Sequence, residues 1–389
     1  MSTHAEHHFP TGCDLIVEKG VCTALFAFDI AYSIDLDRAE RAAASACDDA
    51  QRDVLRHTRK TPSWFGYRPA PLRTVRRGTP IRVGAHETDA VVTATLYDFG
   101  AISVAYTIPI TGDTATLKAL SLALDGHAGL AADAGGHASS MMNLLGSAAA
   151  RPSISPHSED FVIFHVEKFT PSLNESVKAS GPLALESWRR VLAAVLRAEA
   201  SPLSQDEVDY TLSTLVSYGD SDAAIVDWNA AVLFGPDMED VLAVLEFANV
   251  ELLEMRLLDD ELDRALERAH RATTAHAGVL FSRRGEARLR DIAALQVDSA
   301  LLFEGVNNTL KMLGDQYLAR VYRAAVGRFH LPDWDASILR KLSTLDSIYE
   351  KLNDRRATRR MEVLEWIIIL LIAFEVAASW VWPAIWGTK

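Results

Sequence analysis

The sequence predicts an α+β protein. The expected architecture is a ferredoxin-like βαββαβ sandwich with additions, then a long-helix, coiled-coil-like bundle and one C-terminal transmembrane helix. Three observations carry that expectation. Residues 21–169 change pattern in the order strand, helix, strand, strand, helix, strand. After Gly235-Pro236-Asp237 the apolar residues recur three and four apart. From Trp366 to Trp386 nearly every side chain is apolar. Such a run of about 20 residues, at ~1.5 Å of rise each, crosses a ~30 Å hydrocarbon core.

Composition sets the outer bounds. At 389 residues, 49% hydrophobic and 23% charged, the chain is globular and long enough for more than one domain. A net charge of −13 argues against a general nucleic-acid binder. Cys13, Cys22 and Cys47 form no CxxC pair, which fits a reducing compartment. The start, MSTHAEHHFP, has no basic region followed by an apolar one, so no secretory signal is expected. His4, His7 and His8 have no partners at ligand spacing, and no metal or other cofactor is expected. The predicted divisions are a flexible N-terminus (1–20), an α+β domain (21–235), a long-helix domain (237–362) and an anchor (363–386).

Taken in order, VCTALFAFDI (Val21 to Ile30) reads as a buried strand. Asp35 then caps a helix expected to reach about Gln51. Asp29, Asp35 and Asp37 are carboxylates of the type that hold a metal, but capping and first-turn charge account for the latter two. Residues 52–82 are strongly basic, with Arg52, Arg56, Arg59, Lys60, Arg68, Arg73, Arg76, Arg77 and Arg82 against Asp53 alone. Trp64, Phe65 and Tyr67 lie among them, with Pro62, Pro69 and Pro71. Two readings stand: a proline-rich connection whose arginines pair with the protein's own acids, or an RNA or lipid contact through Trp64, Tyr67, Arg68, Arg73, Arg76 and Arg77.

Val91 to Ile110 contains two β-rich runs around Asp98-Phe99-Gly100, a hairpin pattern. The DFG letters are not a kinase signature, because no phosphate loop, strand lysine or HRD loop accompanies them. Asp113 and Thr114 open a helix to about Leu124. The Gly/Ala-rich stretch 125–158 reads as a surface loop with a short helix around Met141 to Ala149. In DFVIFHVEKF (Asp160 to Phe169) alternation sets Val162, Phe164 and Val166 against Ile163, His165 and Glu167. His165 reads as a structural histidine. Helices near 183–197 and 204–217 and a strand pair in 223–234 complete the domain.

The first long helix carries a seam of Met238, Val241, Leu245, Ala248, Leu252, Met255, Leu262 and Leu266, with Asp259 its polar position. Val244, Phe247, Val250, Leu253 and Leu257 widen the apolar face beyond one partner helix. A second is expected from Gly285 to Val326. A third, beyond Leu331-Pro332-Asp333-Trp334, carries Ile338, Leu342, Leu345, Tyr349 and Leu352 and runs without a breaker into the anchor. Arg355, Arg356, Arg359 and Arg360 precede the anchor, placing the bulk of the chain on the cytoplasmic side of the inner membrane. Glu375 lies near mid-span, where a carboxylate costs ~2.5–3.5 kcal/mol and calls for protonation or a partner.

LEWIIILLIAFE (Leu364 to Glu375), VNNTLKML (Val306 to Leu313), LYDFGAISVAY (Leu96 to Tyr106) and EDFVIFHVEKF (Glu159 to Phe169) together resemble the family named "required for meiotic nuclear division". The resemblance implies an α+β domain, helices and a single C-terminal transmembrane segment, in a bacterial member of the family. Eukaryotic members sit in membranes, and one is linked to anchoring the mitochondrial ribosome. The family carries no established catalytic residues, so none is assigned here.

The functional expectation is a non-enzymatic, membrane-anchored scaffold that self-associates through its long helices. Its partners are the lipid bilayer, further copies of itself or another membrane protein, with Glu375 an intramembrane contact. One alternative is an RNA or ribosome tether using 52–82. Another is an uncharacterised enzyme around Asp29, Asp35 and His165, for which no nucleophile–base pair or phosphate loop is present.

Overall fold

The computed structural model describes residues 15–47, 49–52, 69–171, 186–219, 222–274 and 316–386. The chain divides into two compact units. One comprises Met1–Leu257 with Leu302–Asp335, the other Leu258–Leu301 with Ala336–Lys389.

The first unit is built on Leu15–Asp29 (β1), a strand of 15 residues lying between two antiparallel neighbours. On one side is Ala101–Gly112 (β8), followed by Val91–Leu96 (β7), Leu72–Arg77 (β4) and Asp49–Arg52 (β3). On the other is Ser158–Pro171 (β10), then Ala230–Phe234 (β12) and Ala223–Val226 (β11). The eight strands run β11-β12-β10-β1-β8-β7-β4-β3, and only the β10–β12 pair is parallel. Ala31–Ile34 (β2) pairs with Ala149–Pro152 (β9), and Arg82–Val83 (β5) with His86–Glu87 (β6), in two small separate sheets.

One face of the sheet carries five helices: Leu36–Ala43 (α1), Thr114–Leu124 (α2), Ala128–Leu145 (α3), Glu186–Arg197 (α4) and Gln205–Leu212 (α5). Cys22, Ala24, Phe26 and Phe28 of β1 enter one core with Leu117, Leu130, Trp188 and Val208 from those helices. The opposite face is covered too. There Ala27, Tyr97 and Ala101 pack with Val250 and Leu253 of Glu239–Thr274 (α6). Period-two side chains on β1 and β10 are therefore buried on both sides, which is why Leu25 and Ile163 are as inaccessible as Cys22.

This corrects the expected antiparallel sandwich with helices on one face. The protein is a mixed α/β fold in which one eight-stranded sheet takes in the four predicted sandwich strands, the predicted pair in 223–234 and two more. Of the further strands, β4 comes from the basic stretch read as a connection, and β3 from the end of the expected helix together with Arg52. In β4, Leu72 and Thr74 are buried while Arg73 and Arg77 are exposed, so the arginines masked a half-buried strand. The helix expected to reach Gln51 ends at Ala43. Arg52 draws β3 back onto α1 through Asp37 (2.6 Å) and Glu40 (3.1 Å).

The Gly/Ala-rich stretch read as a loop contains α3, which is 18 residues long. Leu130, Ala134, Ala138, Met141 and Leu145 recur at helical spacing and are all buried. Small side chains there let the helix lie close to the sheet, and Tyr106 of β8 donates its hydroxyl to Asp133 (2.6 Å).

The seam expected for a coiled coil is widened to the whole circumference over its first half. In α6, residues Val244 to Leu253 include Glu246, Asn249 and Glu251 among the buried side chains, so this stretch is enclosed on every side. Further along, within the second unit, Asp259 accepts from Ser337 (3.0 Å) and pairs with Lys341 (2.8 Å). The expected second long helix is described only from Gln316–Arg328 (α7); its earlier residues, 285–315, lie outside the described residues. The third helix starts at Leu331 and continues to Trp386 (α8), with Pro332 in its first turn where a missing N–H costs nothing.

The predicted anchor is corrected as well. Among the described residues no helix is long and apolar enough to cross a membrane. A single-pass anchor at the inner membrane is therefore unsupported.

Candidate functional site

In the first unit a cavity of about 540 Å³ opens beside the turn between β11 and β12, Asp227-Trp228-Asn229. Asp227 N–H donates to the Ala230 carbonyl (2.8 Å), closing the turn. The start of β10, the end of α4, Tyr210 of α5, part of α6 and the Arg328–His330 link between α7 and α8 complete the walls.

Its floor is an ionic cluster. Asp227 is fully buried, with Arg197 Nε 2.6 Å from Oδ2 and Arg328 Nε 3.6 Å from Oδ1. Burial pushes the Asp227 carboxyl above its ordinary range, and the two guanidiniums oppose that rise. Arg197 also pairs with Glu207 (2.7 Å) and donates to Thr211 Oγ1 (3.2 Å). Arg328 donates to the carbonyls of Tyr210 and Thr211 and to Ser213 Oγ (3.1 Å). Those carbonyls belong to the last turn of α5, whose acceptors have no partner within the helix. The guanidinium of Arg328 lies 4.1 Å from the centre of the Tyr210 ring, in cation–π geometry.

At the rim, Arg256 of α6 pairs with Glu159, whose carboxyl burial raises despite that partner. Asp160, next in β10, is solvent-exposed; partial desolvation by the surrounding walls and the charge of Asp125 raise its carboxyl, and no cation pairs with it among the described residues. Trp228 and Tyr210 are 54% and 53% exposed, so two aromatic faces remain open to solvent. Phe329 closes the base edge-on against Phe161 (5.3 Å).

The residues singled out from sequence lie elsewhere. Asp35 caps α1 by accepting from the backbone N–H of Asp37 and of Arg38, 3.1 Å each. His165 Nε2 donates to the Gly235 carbonyl (2.7 Å), a structural role. The trio Asp29, Asp35 and His165 is therefore not a joint site. Asp29 instead faces Glu254 of α6, a deeply buried carboxyl raised by burial and by that neighbouring charge. Arg73 and Arg77 are exposed on one side of β4, with Arg76 on the other. Trp64, Tyr67 and Arg68 lie outside the described residues, as do the side chains of Arg355, Arg356, Arg359, Arg360 and Glu375. No group of three or more metal-type ligands occurs among the described residues.

Sequence reasoning missed the ionic cavity altogether. Arg197, Asp227 and Arg328 come from three separate stretches, and Arg328 lies 117 positions from the Thr211 carbonyl it binds. One signal was present: an Asp-Trp-Asn turn leaves a tryptophan at a hairpin tip, where only exposure or function can hold it.

Fold and cavity thus define a mixed α/β protein with a wide sheet and an aromatic-walled ionic pocket at one strand turn. By sequence, the chain belongs to the family described as "Uncharacterized protein MJ0711, N-terminal domain", which it matches over residues 19–240. A relative, "Uncharacterized protein MJ0711" of Methanocaldococcus jannaschii, is 20% identical over 190 residues, 48% of this chain. The match spans 58% of that relative's length. No solved structure matches. These matches replace the expected membership of the meiotic nuclear division family, for which they offer nothing.

Proposed function

We propose that this protein is a non-enzymatic scaffold that assembles with copies of itself through the apolar end of α8. One observation carries the reading. Trp366, Ile367, Ile368, Ile369, Leu370, Leu371 and Ile372 are consecutive, and each is 47–64% exposed. At 3.6 residues per turn, seven consecutive residues point in every direction around the axis. A helix that is apolar all round is covered only when several others gather about it. Fully burying one such side chain contributes ~1.5–3 kcal/mol, so covering seven outweighs the cost of association. Identical chains bring identical apolar segments to one axis, which closes the assembly symmetrically.

Light scattering coupled to size exclusion of the full-length chain tests this. The expected result is an oligomer that dissociates when Ile368 and Leu371 are changed to Asn. A wild-type chain that stays monomeric at every concentration tested overturns the reading.

A second reading, RNA tethering through the basic segment, is favoured by the exposure of Arg73 and Arg77 on one side of β4. It requires salt-dependent RNA binding that Arg73→Ala with Arg77→Ala abolishes. Unchanged binding in that pair of substitutions, or none by the wild type, removes it.

A further inference from the structure

We propose that the cavity beside the β11–β12 turn binds a small organic cation, a primary or methylated ammonium, between the Trp228 ring and the Asp160 carboxylate. The sign follows from which charges are already spent. Arg197 is neutralised by Asp227 and Glu207, Arg328 by the same Asp227, and Arg256 by Glu159. Asp160 is the lining charge left over among the described residues, and Asp125 adds a field of the same sign. An anion entering here has to compete with carboxylates for every guanidinium. A cation meets in Asp160 an exposed carboxylate that no described guanidinium or ammonium occupies.

The walls agree with the charge. A ring face attracts cations through its quadrupole, best for tryptophan, and aromatic surfaces with a carboxylate recognise ammonium ligands. Within this cavity the Tyr210 ring already holds one guanidinium at 4.1 Å. Trp228 presents a half-exposed ring with no cation upon it among the described residues. A volume of about 540 Å³ lies in the range of small-molecule sites, roughly 300–1,000 Å³. The overall charge of −13 also raises the local concentration of cations.

Calorimetric titration of the full-length protein with putrescine, and separately with butanediol as its neutral counterpart, tests the proposal. Putrescine is expected to bind and butanediol not to. Asp160→Asn and Trp228→Leu should each weaken putrescine binding by about tenfold or more. Trp228→Phe, which keeps an aromatic face, should retain most of it and so separates loss of the ring from loss of the fold. Glu87→Gln, an exposed carboxylate on the separate β5–β6 pair, should leave binding unchanged. The proposal is overturned if wild type binds no putrescine, if Asp160→Asn binds it as well as wild type, or if Glu87→Gln loses as much. The last result would mean diffuse attraction to an acidic surface.

Discussion

Tyr322 of α7 donates its phenolic hydroxyl to Glu251 of α6, and both side chains are buried. Burial first, and the charge of Asp335 second, push the Glu251 carboxyl up to about 8, while the Tyr322 hydrogen bond opposes them. Glu254, one turn on, is raised in the same direction by burial and by Asp29.

These two groups make stability depend on pH with a definite sign. The folded chain keeps protons that the unfolded chain releases near pH 4.5. The Glu251 contribution is therefore fully present below that pH and is lost as pH rises toward 8, and Glu254 acts in the same direction. Denaturant midpoints should fall from pH 5 to pH 9, by a few kcal/mol in free energy. The double variant Glu251→Gln, Glu254→Gln should flatten the profile; an unchanged slope would mean that other groups set it.

Arg328→Met should cost about 3–5 kcal/mol of stability, read from denaturant unfolding. It leaves Asp227 buried with one guanidinium instead of two and removes the Arg328 donor from the Tyr210 and Thr211 carbonyls at the end of α5. Adding Asp227→Asn should return part of that loss, because the uncompensated charge disappears. If the second substitution makes matters worse by its full single-variant cost, the two residues are not coupled as the geometry indicates.

Gly100 ends the β7–β8 turn with φ +111°, and a Cβ built there stands 1.7 Å from the Ala31 carbonyl oxygen. Gly100→Ala should therefore cost roughly 3 kcal/mol or more, since backbone has to move as well as φ. Gly126, at φ +61° with nothing within 4 Å, gives the comparison. Gly126→Ala should cost only about 1–2 kcal/mol of left-handed strain. Thermal melts that rank the two in the opposite order would refute the steric argument.

Ala198 follows α4 at φ +48°, and the next N–H, of Glu199, bonds back to the Ala194 carbonyl (3.1 Å). That is the Schellman arrangement, in which glycine is the preferred residue. Ala198→Gly should raise stability by about 1 kcal/mol, visible as a higher melting temperature. A lower one would show that the unfolded-state entropy of glycine outweighs the relief of strain.

What could be read locally was read well. Asp113 accepts from Thr116 N–H (2.9 Å) at the predicted start of α2, and the DFG turn joins the two predicted strands. The pattern failed where residue type and environment part company. Arginine density concealed β4, whose buried positions are only Leu72 and Thr74. Glycine and serine concealed α3, whose buried stripe is mostly alanine and leucine. In α6 the acids Glu246, Glu251 and Glu254 are all buried, against their ordinary preference for the surface.

The sequence by itself determined the elements whose signals lie within a few residues: the caps at Asp35 and Asp113, the hairpin with its Gly100, the strand through Asp160 to Phe169 and the break before α6. Local hydrogen bonds and periodicity fix these wherever the chain goes. Only the tertiary structure decided the width of the sheet, the parallel placing of β12 on β10, and the cover on its second face. It also decided the meeting of Arg197, Asp227 and Arg328. Those outcomes depend on which distant surfaces bury one another and which charges then have to be paired in the interior. No window along the chain contains that information.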